Sequence, residues 1–490
     1  MTDTRTPDTT SRIGWDAGSR SWIVGDGVTT PDQVPELDGR LILGSDLLAE
    51  NSRDLGRIVS ARPGAVLRPG SVDDIAAMVG FCWQRGIPVA PRGEAHTTHG
   101  QGLVEGGLVI DMTVLNTIHA IDADGADVDA GVLWSDLVAR AAAEGLRAVN
   151  LTGYLKLTVG GTLSVGGISP AYREGAQLDQ VRKLQVVTGA GRVEWCSPEE
   201  NPALFEAALG GLGQVGVITR AVVDLVARPE AVRTWRLPFV DVADAFAAMR
   251  SLIGRDELDE LYCMVLPPGP DSPAVYLVHA SRYYATAAPP QDDALLRDLP
   301  ERVPAAAQEQ FDLPYLVHVS VYDEAIERLR QGDWDRRAKP WFDVFLPDES
   351  VESYVTEVVP TLDADDWSLP DGGGFVLFFP HRRAAFGRPR LRLPDSELVW
   401  LFDILNVAPR TSGPDFVRRM LRRNHGLWDR ARAVGGVRYP IGSLDFGPED
   451  WQHHYGATFE EVTSAKRRFD PAGILTPGPR IFAPHGAPPT

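Results

Sequence analysis

The stretch 91-PRGEAHTTHGQG-102 decides how this chain is read. It follows the apolar run IPVAP, so a strand ends in a loop of small and polar residues. Gly93, Gly100 and Gly102 let the backbone approach a ligand closely, and their N–H groups can converge on an anion. Arg92 adds charge there, and Thr97 or Thr98 adds a hydroxyl. A second Gly/Thr-rich loop, 158-TVGGTLSVGGIS-169, can reach the same ligand from the other side. Two such loops imply one long, pyrophosphate-containing cofactor.

Working outward, AVLRPG reads as a strand, and Ser71 with Asp74 forms a capping-box pair opening the helix VDDIAAMVGFCWQRG. With IPVAP this makes a strand–helix–strand unit. GLVIDMT, TIHAIDAD and ADVDAGV continue as strands, and WSDLVARAAAEGL closes the stretch with an amphipathic helix. After Arg228 the texture changes to helices such as VADAFAAMRSLIG alternating with strands such as AVYLVHASRYY. The start, MTDTRTPDTTSR, and the tail, APHGAPPT, read as flexible ends.

The 490 residues are enough for two or three domains, and 48 basic against 67 acidic residues leave a net charge of -19. Such a field repels phosphate backbones and anionic membranes, so neither nucleic acid nor a membrane is an expected partner. Cys82, Cys196 and Cys263 are far apart, without the spacing of a disulfide framework or a zinc site. No signal-peptide pattern and no apolar run of roughly 20 residues is present, and a cytoplasmic protein is expected. Gly211, Gly213 and Gly216 match the dinucleotide pattern GxGxxG, but a helix precedes them and a strand follows. That is the reverse of what a helix N-terminus facing a pyrophosphate requires.

In order along the chain, PRGEAHTTHGQG, YLKLTVGGTLSVGGIS, LQVVTGAG, LGGLGQVGVITRA and FDPAGILTPGPRIF resemble the vanillyl-alcohol oxidase and p-cresol methylhydroxylase family of flavoproteins. Within it they are most similar to the cytokinin dehydrogenases. The resemblance implies an α+β fold: a two-part FAD-binding domain of the p-cresol methylhydroxylase type with a central α+β substrate domain. The expected divisions are a lead-in over 1–56, the first FAD-binding part over 57–228, the substrate domain over 229–444 and a returning segment over 445–490.

The resemblance also implies FAD covalently attached through His96. It places Arg92, Gly93, Glu94, Ala95, Thr97, His99, Gly100 and Gln101 of the first loop at the cofactor. From the second loop it adds Thr158, Gly160, Gly161, Thr162, Ser164, Gly167 and Ile168, and beyond it Val217 and Ile218. His99 invites a metal, but no carboxylate or cysteine cluster accompanies it, and no metal is expected. Doubly linked relatives carry a cysteine where this chain has Lys156, so a second link is not expected.

Four departures stand out. Ala95 replaces a glycine, Thr97 a serine, and Pro479 a glutamine that bonds the cofactor. Gly153 stands where cytokinin dehydrogenases have the aspartate that takes the substrate's proton, so the resemblance does not carry cytokinin oxidation over. The substrate pocket should be lined by the central domain, with Tyr262, Tyr276, His381, Asp403 and Tyr439 as polar candidates. Asp403, His381 and Tyr439 are taken as the catalytic set. Asp403, amid the apolar run VWLFDILNV, is the most pointed, because apolar surroundings raise a carboxyl pKa; an arginine could equally pair it.

The expected activity is hydride removal from an alcohol or amine carbon of a small molecule, natural products included, with dioxygen as acceptor and a homodimer as one assembly. The alternative is a flavin scaffold catalysing a redox-neutral cyclisation or isomerisation.

Overall fold

The computed structural model describes residues 12–25, 32–123, 125–291, 296, 299 and 308–482. The readings made for 1–11 and for APHGAPPT lie outside the described residues. Ala65–Arg68, Val72–Arg85 and Val89–Arg92 form the expected strand–helix–strand unit. Ser71 Oγ accepts the Asp74 N–H at 3.4 Å, and Gly86 ends the helix in the left-handed conformation. The Asp74 carboxylate accepts from the N–H groups of Asp38, Gly39 and Gly70, which ties the lead-in to the helix start. That lead-in is more ordered than its composition suggests. Ile13–Asp16 pairs with Ser21–Val24, and Arg40–Ile42 forms the edge of a sheet.

In that four-stranded sheet, Ala65–Arg68 and Val89–Arg92 run parallel to Leu108–Asp111 between them. A five-stranded antiparallel sheet follows, in the order Val193–Cys196, Val181–Thr188, Gly216–Val223, Gly125–Asp129, Ile118–Asp122. Both sheets share one apolar core, including Leu67, Ile75, Ile110, Val128, Leu137 and Val186. Gly211 and Gly213 lie in the turn between the Pro202–Ala208 helix and the Gly216–Val223 strand, which Gly216 opens, and do not form a nucleotide fingerprint. The final segment returns to this unit: Val89 donates its N–H to Ile474, and Thr476 donates to Val89, both at 2.8 Å.

The middle of the chain builds an eight-stranded antiparallel sheet, its centre formed by Glu260–Leu266, Phe375–Arg382, Leu398–Leu405 and Phe342–Pro347. Side chains alternate between its faces with period two. Val376, Phe378, Trp400, Phe402 and Ile404 join a second core with helices Val242–Arg255, Asp348–Val358 and Phe416–Ala433. Leu377, Phe379, Leu401, Asp403 and Leu405 face the other way, into a cleft against the first unit.

The segment 158–169 departs from its reading as a loop. Val159–Val165 is a short helix capped by Thr158, whose Oγ1 accepts the Gly161 N–H at 3.3 Å. Val159 and Leu163 are buried, and a Cβ at Gly160 would come within 2.7 Å of the Ala130 Cβ. Glycine at 160 therefore allows the helix to pack closely against the Gly125–Asp129 strand and the turn after it.

Candidate active site

Between the two units runs a cleft of about 370 Å³, within the roughly 300–1,000 Å³ typical of cofactor and small-molecule sites. The loop 91–97 forms one wall with Gln101, and helix Val159–Val165 with Gly167 and Ile168 forms another. Ile218 adds to this end, and the sheet face with Tyr262, together with Tyr322 and Ile326 of helix Tyr315–Arg330, closes the other.

Hydrogen bonding separates the two glycine-bearing segments. In the second, the Gly160 N–H is bonded to Ala130 O, that of Gly161 to Thr158, and that of Gly167 to the Tyr439 hydroxyl. The Ser164 and Thr162 hydroxyls donate to the Gly160 and Val159 carbonyls. This segment therefore presents a wall and few free donors. In the first loop, the N–H groups of Glu94, Ala95, His96 and Thr97 have no protein partner among the described residues, so they remain available to an anionic or polar cofactor.

The loop's side chains, by contrast, are committed to the protein. Arg92 donates to the carbonyls of Asn51 and Arg53, Thr97 to Asp54 and Thr98 to Ile441. Gln101 Nε2 lies 3.2 Å from each of the carbonyls of Pro440, Ile441 and Gly442. The charge and hydroxyls expected to serve a phosphate thus hold the loop in shape. Ala95 adopts φ 51°, the left-handed region where relatives carry glycine, which costs about 1–2 kcal/mol.

Asp54, which the sequence did not single out, organises this loop. Its Oδ2 accepts the Gly100 N–H at 2.6 Å and the Thr97 hydroxyl at 3.1 Å, and burial raises its pKa to about 6. Asp54→Ala leaves both donors unpaired in a buried place, a loss of about 1–3 kcal/mol. The expected result is a lower melting midpoint together with a lower flavin-to-protein absorbance ratio.

His96 borders the cleft, its ring stacked on Tyr154 at 5.1 Å and tilted against Trp341 at 5.6 Å. Burial, and then the charges of Arg330 and Lys339, push its pKa down to about 3. A neutral imidazole with a lone pair is what a nucleophilic ring nitrogen requires. His99 and Gly100 lie outside the cleft. His99 is surrounded by Arg438, Asp445, Arg480 and His425, and Gly100, at φ 78°, is held by Asp54. Val217 also lies outside, on the opposite face of its strand from Ile218.

On the sheet side, Asp403 and Tyr439 reach the cleft, whereas His381 and Tyr276 do not. His381 shares a strand face with Leu377 and Phe379 but sits past the cleft's end, fully buried, with Phe386 edge-on at 5.5 Å. Tyr276 belongs to the second core. The Tyr439 hydroxyl accepts N–H bonds from Gly167 and Ile168 and so anchors the turn after the Val159–Val165 helix.

Among the described residues no arginine is bonded to Asp403. Asp343 stands directly opposite on the neighbouring strand, and both carboxyls are buried. No donor reaches the Asp343 oxygens among the described residues, and two buried carboxyls side by side do not both ionise, so one carries a proton. Burial pushes both pKa values up, and the facing charge pushes Asp403 further, while Arg438 pulls Asp343 back. A Cβ at residue 442 would meet the Asp343 Oδ2 at 2.3 Å, so Gly442 leaves room for the pair.

Gly153 borders the cleft beside Tyr322. The three cysteines are buried and free, and no cluster of three metal-ligating side chains occurs among the described residues. No described helix is long and apolar enough to cross a membrane.

Two families match consecutive parts of the chain: an FAD binding domain over residues 63–197, and the FAD and cytokinin binding region of cytokinin dehydrogenase 1 over residues 248–482. An uncharacterized oxidoreductase of the fasciation locus of Rhodococcoides fascians is 33% identical, covering 89% of this chain and 97% of that protein. Cytokinin dehydrogenase 10 of Oryza sativa subsp. japonica is 31% identical over 93% of this chain and 91% of its own length. The crystal structure of 6-hydroxy-D-nicotine oxidase from Arthrobacter nicotinovorans shares the fold, with a TM-score of 0.69, 22% identity, and coverage of 90% of this chain and 96% of that one. The free N–H groups of the first loop and the long two-walled cleft fit the FAD named in both family descriptions. The chain is an FAD-dependent oxidoreductase, belonging to the vanillyl-alcohol oxidase and p-cresol methylhydroxylase family and most like its cytokinin dehydrogenases.

Proposed function

We propose that this enzyme removes a hydride and a proton from an alcohol or amine carbon of a small molecule, natural products included, with its FAD held covalently through His96. One observation supports the reading above the others: the His96 ring, its pKa lowered by burial, meets both Tyr154 and Trp341 at the rim of the cleft, on a loop whose Glu94–Thr97 N–H groups have no protein partner among the described residues. FAD, when bound, supplies the hydride acceptor. The residues that would hold it are the 93–97 backbone, Gln101, the Val159–Val165 helix and Ile218.

Asp403 takes the proton. The pair shares one proton at rest and so can take up a second from the substrate, while the Arg438 charge acts on its Asp343 member. Tyr439 is a positioning residue, because its hydroxyl is occupied by the Gly167 N–H. The apolar wall of Phe375, Leu377, Phe379, Leu401 and Leu405 orients the substrate and excludes water. Dioxygen as acceptor, a cytoplasmic location and a homodimer complete the proposal. Cytokinin is not the proposed substrate, since Gly153 offers no carboxylate.

Anaerobic mixing of the yellow protein with a panel of alcohols and amines tests the reaction. Loss of the oxidised flavin band is expected with a substrate of the right class. An intact band, with product formed, would mark redox-neutral chemistry and overturn the proposal.

A further inference from the structure

We propose that Tyr322, Tyr262 and His279 form an oxygen-recognition subsite, one that selects substrates bearing a neutral hydroxyl, or the carbonyl it becomes, over amines. The inference rests on the oxidation proposed above and names its substrate class. A Cβ at Gly153 would lie 3.5 Å from Tyr322 Cδ2, an ordinary contact, so the tyrosine ring borders the position where cytokinin dehydrogenases carry their aspartate. Where those relatives offer a carboxylate, this chain offers a phenol.

The phenol is the outer end of a fixed array. Tyr322 donates to the Tyr262 hydroxyl at 2.8 Å, and the Tyr262 hydroxyl lies 3.0 Å from His279 Nδ1. Tyr262 and His279 are register partners on adjacent strands and stack at 4.4 Å, with Phe379 stacked on Tyr262 at 5.7 Å. Tyr322 comes from the Tyr315–Arg330 helix packed over that sheet. Both tyrosines line the cleft, and His279 is buried behind them with its Nε2 unpartnered among the described residues.

The array is neutral and can run in either direction. With His279 protonated on Nε2, Tyr262 donates to Nδ1, Tyr322 donates to Tyr262, and the Tyr322 oxygen accepts from a substrate hydroxyl. With the proton on Nδ1, the bonds reverse and Tyr322 donates to a carbonyl. The two arrangements differ in one histidine tautomer and two hydroxyl rotations, so the subsite accommodates an alcohol and its oxidation product.

Among the described residues, no carboxylate is hydrogen-bonded to the Tyr322 or Tyr262 hydroxyl. Burial and the Arg236 charge keep His279 uncharged, with its pKa lowered to about 3. The neighbouring carboxylate, Glu260, is already paired with His318 at 2.7 Å and accepts the Tyr283 hydroxyl. Burying an unpaired ammonium beside Arg236 is unfavourable, whereas burying a hydroxyl against Tyr322 is not.

The test is anaerobic equilibrium dialysis of the photoreduced holoprotein, whose flavin cannot accept a further hydride, against cinnamyl alcohol and cinnamylamine. The alcohol is expected to bind at least about tenfold more tightly than the amine. Tyr322→Phe, with flavin content and melting midpoint held, should weaken the alcohol by about five- to tenfold and leave the amine unchanged. Tyr262→Phe, which removes Tyr322's partner, should act in the same direction. Equal or tighter amine binding, no binding of the alcohol, or unchanged alcohol affinity in both variants would overturn the subsite. A preparation that takes up no flavin would instead sink the oxidation reading, and it is recognised before any probe is added.

Discussion

His96→Ala is expected to yield a folded protein whose flavin passes into the supernatant on acid precipitation, while the parent retains its yellow colour in the pellet. The reason lies in how the loop is built. Arg92 and the Ala95 carbonyl before residue 96, and Thr97, Thr98 and Gln101 after it, together with Asp54, hold the backbone through bonds that the substitution does not touch. The cleft and its free N–H groups should therefore survive, and non-covalent FAD with them. What disappears is the nucleophilic nitrogen, together with a ring contact to Tyr154 and another to Trp341. Because a histidyl link raises the flavin's potential in the family this chain resembles, reduction by substrate should slow in the variant even when FAD is supplied in excess. Flavin fluorescence that stays with the denatured His96→Ala chain would show that the link is made elsewhere.

The elements that could be read from the sequence are those whose signals are local. The order of glycine-bearing motifs, the helix between Ser71 and Gly86, and the reversed context of Gly211, Gly213 and Gly216 each lie within one short window. The first loop could be located, but not the work of its side chains. Arg92, Thr97 and Thr98 looked like ligands for a phosphate because they are polar and adjacent, and their actual partners, at residues 51–54 and 441, come from distant segments. Asp54 gave no signal, since a lone aspartate in a Gly/Asp-rich lead-in resembles any turn residue. His381 lies outside because period two gives the face of a strand but not where along it a cleft ends, and Val217 because neighbouring strand residues point to opposite faces, so it cannot face the cleft together with Ile218. Asp343, 60 residues before Asp403, became its partner only through strand register.

That register carries the second large prediction. Asp403→Asn is expected to lower the rate of flavin reduction by about 10²–10⁴-fold, the range for removal of a positioned proton acceptor, with flavin content unchanged. Asp343→Asn should behave differently. Its amide donates to the Asp403 carboxylate and favours the charged form, so Asp403 remains a base with a lower pKa, and the pH–rate profile shifts toward acid with a smaller loss in rate.

Stability should separate the two states of the pair as well. Both carboxyls have folded pKa values above their unfolded ones, so the native state binds their proton more tightly. The stability they confer is present at acid pH and is lost as pH rises through their raised values. The parent's melting midpoint should therefore fall more steeply from mildly acidic to alkaline pH than that of Asp343→Asn, in which no second proton-binding carboxyl faces Asp403. Identical slopes, together with reduction rates in Asp403→Asn equal to the parent's, would remove the carboxyl pair from the chemistry and leave it as a buried feature of the sheet.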